Sequence, residues 1–315
     1  VIEARNLTKA YGATLAVDDL SFDVQPGSVT GFLGPNGAGK TTTMRMIVGL
    51  DRPTRGSVTI DGRSYKDLPV PLQEVGALLD AKAFNGGRSG YNHLLCLAQA
   101  DGIPKRRVDE VLAIVGMESA AKRRAKAFSL GMGQRLGIAA ALLGDPRILI
   151  FDEPVNGLDP EGIAWVRRLM RDLASAGRTV FVSSHLMSEM ALTADRVIVI
   201  GRGRLIRDES MSSFIDSSSA QSVLVRSPEA ARLAGLVRDE GATVRSDESG
   251  ALAIVGVDAA RVGEIAAAAG IVLHELAPQR ASLEEAFMEL TSQSVEFHAS
   301  ASADPASALR EKGTI

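Results

Sequence analysis

Gly34-Pro35-Asn36-Gly37-Ala38-Gly39-Lys40-Thr41 fits G-x-x-x-x-G-K-[ST], the spacing of a phosphate-binding P-loop. A triphosphate crowds negative charge against the main chain. Gly34, Gly37 and Gly39 let backbone N–H groups curl inward without Cβ clashes. Lys40 is long enough to reach the β- and γ-phosphates, and the Thr41 hydroxyl is a ligand for Mg²⁺. Before the loop, Val29-Thr30-Gly31-Phe32-Leu33 reads as a buried strand. After it, residues 42–48 read as a helix whose N-terminus favours an anion.

A second stretch narrows the chemistry. Ile148-Leu149-Ile150-Phe151-Asp152-Glu153 is four apolar residues followed by two carboxylates. The apolar run buries a strand and leaves Asp152 at its C-terminal end, where α/β ligand sites lie. A carboxylate there is placed to hold Mg²⁺ through water. Glu153 would face the γ-phosphate and polarise an attacking water. His185 ends the next apolar run, so a γ-phosphate contact is expected of it too. Upstream, Phe128-Ser129-Leu130-Gly131-Met132-Gly133-Gln134-Arg135 places a Ser immediately before an expected helix over 132–143, a capped second N-terminus.

The chain has 315 residues, is 45% hydrophobic and carries a net charge of −3, so it supports a real core and has no global field pointing to nucleic acid. Its single cysteine, Cys96, excludes an intrachain disulfide, suits a reducing cytoplasm and, within Leu94-Leu95-Cys96-Leu97-Ala98, is expected to be buried. No apolar run approaches the length needed to span a bilayer, and no basic-then-apolar leader opens the sequence.

Residues 1–208 alternate β-rich runs with amphipathic helical stretches, the pattern of a mostly parallel α/β core. Runs 1–7, 15–24 and 56–61 read as an antiparallel flank. Strands are expected at 75–79, 148–152, 179–183 and 196–200, and helices at 105–117 and 160–176. Serines cluster from 209 to 222, which reads as a linker. Residues 223–292 then read as a small α+β module: strand 223–226, helix 228–240, strands 243–245 and 252–255, helix 258–269, strand 271–276 and helix 282–290. The tail, 293–315, is Ser/Ala-rich and expected to be disordered.

Taken in order, these motifs resemble the ATP-binding subunits of ABC transporters over residues 1–208. The resemblance implies an α/β P-loop NTPase fold with an antiparallel β flank and a helical subdomain. Gly34 to Thr41 match Walker A, and residues 148–153 match Walker B with its catalytic Glu. Phe128–Met132 match the signature motif, keeping Ser129 and Gly131 and departing at Leu130 and Met132. Asn156-Gly157-Leu158-Asp159 matches the D-loop, His185 the switch histidine and Tyr11 the aromatic that stacks on adenine. Nucleotide contacts are thereby implied for Tyr11, Gly34, Pro35, Asn36, Gly37, Ala38, Gly39, Lys40, Thr41, Thr42, Ser129 and Gly131. Catalytic roles are implied for Lys40, Glu153 and His185, and Mg²⁺ contacts for Thr41 and Asp152.

One position departs more seriously. The family places a Gln just after the strand at 75–79, and this chain has Asp80 there, with Gln73 before the strand as the poorer match. Asp80 is therefore the candidate for a further metal contact. The resemblance further implies ATP and Mg²⁺ as cofactors, a homodimer, a separate transmembrane permease and a place at the cytoplasmic face of the membrane. Residues 76–95 and the C-terminal extension look most like bacterial drug- and antibiotic-exporter ATPases, which implies export of a drug, antibiotic or lipid-like substrate. The alternative is an ABC ATPase that regulates a membrane partner without transport.

Overall fold

Four short runs, VTGFL, ILIFD, TVFVSS and RVIVIG, are apolar on both alternating faces, and all are buried along most of their length. Such runs belong to parallel strands covered on both sides. In a computed structural model of the chain, residues 1–218, 221–246, 250–280, 287 and 291 are described. The strands are β1 Ile2–Tyr11, β2 Thr14–Val24, β3 Val29–Leu33, β4 Arg55–Ile60, β5 Val75–Leu78, β6 Ile148–Asp152, β7 Thr179–Ser184, β8 Arg196–Gly201, β9 Arg204–Ser210, β10 Gln221–Arg226, β11 Thr243–Ser246, β12 Leu252–Val255 and β13 Glu275–Arg280. The helices are α1 Lys40–Ile47, α2 Pro71–Glu74, α3 Gly90–Ala100, α4 Lys105–Ile114, α5 Leu130–Leu142, α6 Pro160–Ser175, α7 Met187–Ala191, α8 Met211–Ser218, α9 Ala230–Asp239 and α10 Ala259–Ala268.

The central sheet has the order β5-β6-β7-β3-β8-β9, parallel except for the β8–β9 hairpin at one edge. Its register sets Leu33 beside Ser184 and Asp152 beside Ser183. The strand ends that carry the P-loop, the carboxylate pair and the histidine therefore open on one edge. The flank expected from the sequence forms the antiparallel sheet β2-β1-β4. It packs on the central sheet through Phe22, Phe32 and Phe181, whose ring centroids lie 5.0 to 5.7 Å apart. Met44 and Ile47 of α1 join that core. On the other face, Leu94, Val111, Leu136 and Val166 of α3 to α6 cover Phe151 and Val182.

The C-terminal strands form a separate antiparallel sheet, β11-β12-β10-β13, with α9 and α10 packed on one face through Leu233, Val237, Val262 and Ala266. The chain order there is βαββαβ.

Several expectations need correction. The segment 209–222 is not a plain linker: α8 occupies most of it, and Met211 and Phe214 are buried in the core of the first unit. Phe287, placed by sequence in the C-terminal module, is buried in that same first core. The last strand is Glu275–Arg280 and not 271–276, because Ile271 instead closes the apolar core under α10. Cys96 is exposed on α3, since the helix turns Leu94 and Ala98 inward and leaves position 96 outside. The tail 293–315, and all of the expected helix 282–290 but Phe287, lie outside the described residues.

Candidate functional site

β3 ends at Leu33, the loop curls through residues 34–39, and α1 starts at Lys40. Gly39 has φ +100°, and a Cβ there would stand 2.5 Å from the Ala16 carbonyl, so the loop can press onto β2 only with glycine. Lys40 is buried, and its Nζ donates to Gly34 O at 2.6 Å and Pro35 O at 3.2 Å. The ammonium lies 3.8 Å from Glu153 Oε1. Burial pushes the Lys40 pKa below the usual lysine value, and the nearby Glu153 and Asp152 oppose that shift. Asn36, Gly37, Ala38, Gly39, Lys40, Thr41, Thr42, Asp152 and Glu153 line one cavity of about 280 Å³, with Ala16 of β2 at its wall.

Thr41 Oγ1 donates to Asp152 Oδ2 at 2.6 Å, joining the start of α1 to the end of β6. Ser183 on neighbouring β7 donates through Oγ to Asp152 Oδ1 and accepts the Glu153 N–H at 2.9 Å. Glu153 takes a left-handed backbone, φ +49°, and its carbonyl accepts from Gln134 Nε2 at 3.0 Å. Its carboxylate Oε2 lies 2.9 Å from His185 Nδ1. With an ionised carboxylate as acceptor, Nδ1 carries the proton. The cavity thus offers backbone N–H groups and an ammonium for phosphate, two hard oxygens for a divalent cation, and a carboxylate beside a histidine for water. Thr41 and Asp152 fit Mg²⁺, which keeps several waters and takes only one or two protein oxygens. Among the described residues, no cluster of three or more His, Cys, Asp or Glu could hold a metal by side chains alone.

Ser129 and Gly131 do not line this cavity. Ser129 caps α5, accepting the Met132 N–H at 3.2 Å, and Leu130 beside it is exposed. Tyr11 also stands outside the cavity lining. Its hydroxyl donates to Asp51 Oδ2 at 2.8 Å, and Lys9 Nζ sits 4.8 Å from its ring centroid. Asp51 accepts Arg45 Nε at 2.7 Å as well. Partial burial, then Asp51, push the Tyr11 phenol up; the Arg45 hydrogen bond holds the Asp51 carboxyl below its usual range. Asp80 lines a neighbouring cavity of about 480 Å³ that it shares with Thr41, Arg45 and His93. Its Oδ1 accepts the Lys82 N–H at 2.8 Å. Gln73 lies in a different cavity, with Gly102 and Pro104.

Sequence reasoning missed three residues here: Ser183, Gln134 and Asp51. Ser183 carried one usable signal, a hydroxyl at the end of a buried strand. Gln134 gives no sign of its role within its motif, and Asp51 stands well away from Tyr11 in sequence.

Comparison with known proteins gives the family and the fold. The ABC transporter family matches residues 17–156, and a domain of unknown function matches residues 221–284. An uncharacterized ABC transporter ATP-binding protein of Bacillus subtilis is 37% identical over 94% of this chain and 97% of its own length. A bacitracin transport ATP-binding protein of Bacillus licheniformis is 44% identical over 66% of this chain and 69% of its own. A dimeric ATP-binding cassette, solved in a post-hydrolysis state with ADP and phosphate, superimposes with a TM-score of 0.62 at 25% identity, covering 67% of this chain and 99% of that one. The chain belongs to the ATP-binding proteins of ABC transporters and is an ATPase.

Proposed function

We propose that two copies of this chain close head-to-tail around two ATP molecules and so drive a separate membrane permease. The observation that carries this reading is a division within one chain. Lys40, Thr41, Asp152 and Glu153 share one cavity, with His185 against Glu153, while the capped helix start at Ser129 and Gly131 stands outside it. In a head-to-tail pair, each helix start would close the other copy's cavity.

Backbone N–H groups of the loop and of the first turn of α1 would cradle the phosphates, and Lys40 would follow the charge that grows on the β–γ bridge. Thr41 and Asp152 would hold Mg²⁺, which when bound neutralises β- and γ-phosphate charge. Glu153 would orient water toward the γ-phosphorus and take its proton as the P–O bond to ADP breaks. His185 would hold the Glu153 carboxylate and meet the γ-phosphate. Tyr11 would stack on adenine from the edge of the flank. The 480 Å³ cavity beside Thr41 and Asp80 suits a segment of the permease. No helix of the described residues is long and apolar enough to cross a membrane. In this reading the membrane passage would belong to the partner, and this chain would sit at the cytoplasmic face. Likeness to a bacitracin transport protein supports export of a drug, antibiotic or lipid-like cargo.

Glu153→Gln tests the reading. It should bind ATP within about threefold of the native chain while turnover falls by about 100-fold or more, and light scattering with ATP should give the mass of a dimer. Lys40→Ala should abolish turnover without that dimer. A Glu153→Gln chain that binds ATP yet stays monomeric would sink the head-to-tail assembly.

A further inference from the structure

We infer that Gln134 is a positioning residue for Glu153, holding the backbone of the catalytic carboxylate from the helix that begins at Ser129. The inference rests on the reading of Glu153 as the group that activates water.

Glu153 has φ +49°, a conformation that side-chain-bearing residues adopt rarely and keep only when their surroundings impose it. Two hydrogen bonds impose it here. The Glu153 N–H is fixed by Ser183 Oγ at 2.9 Å, and the Glu153 carbonyl by Gln134 Nε2 at 3.0 Å. Pinning both flanking peptides sets the direction of the Cα–Cβ bond, and that direction decides whether the carboxylate meets His185 at 2.9 Å and Lys40 at 3.8 Å. A carbonyl oxygen only accepts, so the amide face turned to it must be the donor.

Gln134 is 3% exposed. Burying an amide in a helix that otherwise turns Leu136, Ile138 and Ala139 inward costs free energy unless a partner compensates. Its partner is the backbone of the catalytic residue and not a neighbour on its own helix. The helix reaches that backbone because it lies close to the following loop: a Cβ at Gly131 would stand only 3.1 Å from the Gly157 carbonyl. Ser183 fixes Glu153 from the sheet and Gln134 fixes it from the helical side, and neither side chain needs to touch nucleotide.

The test uses the full chain and ATP. Gln134→Glu keeps size and replaces the donor by an acceptor, and Gln134→Met keeps length and removes the donor. Each should lower kcat by about tenfold or more, the range of a misaligned general base, while ATP affinity by equilibrium binding stays within about threefold. Each should also accumulate the ATP-dependent dimer, as Glu153→Gln does, because the cavity still binds and only the chemistry stalls. A purely packing role would instead lower ATP affinity and melting temperature together, with no accumulated dimer, and that pattern overturns the inference. Native kcat in either folded variant also overturns it. If Glu153→Gln itself turns over at the native rate, the fault lies with the reading of Glu153. If Glu153→Gln is inactive and both Gln134 variants are native-like, only the inference fails.

Discussion

Asp80 stands two residues past β5, and its carboxylate is already engaged, accepting the Lys82 N–H at 2.8 Å. A Gln there would offer a neutral oxygen and a donor, whereas Asp offers a shorter, charged acceptor only. Asp80 and Thr41 line the same cavity, and on the proposed function Asp80 would sense Mg²⁺ through water while bracing the loop against a permease. Asp80→Ala is then expected to lose most partner-stimulated turnover while ATP affinity changes by less than about threefold. Asp80→Gln should keep more of that stimulation than Asp80→Ala. Native stimulation in both would show that the carboxylate is a bystander. Gln73 is no substitute, since it opens on another cavity. At this scale the sequence was most legible where chemistry restricts residue type. Lys40 and Thr41, read from the P-loop pattern, meet Asp152 and Glu153, read from the end of a buried strand. Gln134 was not legible and Ser183 only faintly so, because Ser and Gln are common and their roles arise from register and helix packing.

At the scale of elements, Asp51 ties the end of β1 to the end of α1 by accepting both Tyr11 Oη and Arg45 Nε. This link holds the aromatic ring that would meet adenine. Asp51→Ala should therefore raise the KM for ATP a few-fold with little change in kcat, and Tyr11→Phe should do the same without adding to it. Additive effects would mean that the two side chains act separately. The Asp51 carboxyl sits below its usual range chiefly through the Arg45 hydrogen bond. A depressed carboxyl contributes stability that is full above its unfolded pKa and lost as pH falls through the folded one. Melting curves of native and Asp51→Ala chains should thus differ near neutral pH and converge in acid below the ordinary Asp range. Most elements were readable from apolar period, as the buried runs of β3, β6, β7 and β8 show. The strand order β5-β6-β7-β3-β8-β9 was not, because crossover connections are decided by packing and not by any local run. The helix α8 was hidden by its serines, although Met211 and Phe214 give it a buried side.

The whole molecule is more interlocked than its composition implied. A separate βαββαβ unit has its own core around Val223, Val225 and Ile254, yet Phe287 beyond it returns to the core of the nucleotide-binding unit. That core also holds Met211 and Phe214, from the stretch that leads into the C-terminal sheet. The nucleotide-binding unit is therefore closed by chain from both sides of the C-terminal unit. Phe287 is 5% exposed, and truncating a buried Phe to Ala costs about 3–5 kcal/mol through lost burial and the cavity left behind. Phe287→Ala should lower the melting temperature of the nucleotide-binding unit by several degrees. Removing everything after residue 219 should lower it at least as much, while ATP still binds, because no residue of the 280 Å³ cavity lies beyond Glu153. Replacing only residues 221–280 by a short flexible linker should restore much of the loss, since Phe287 is then kept. Differential scanning calorimetry of the three variants, with and without ATP, decides the matter. An unchanged melting temperature in Phe287→Ala would make the C-terminal segment an appendage. A drop common to Phe287→Ala and the truncation, relieved by the linker variant, would make it the closing piece of the ATPase core.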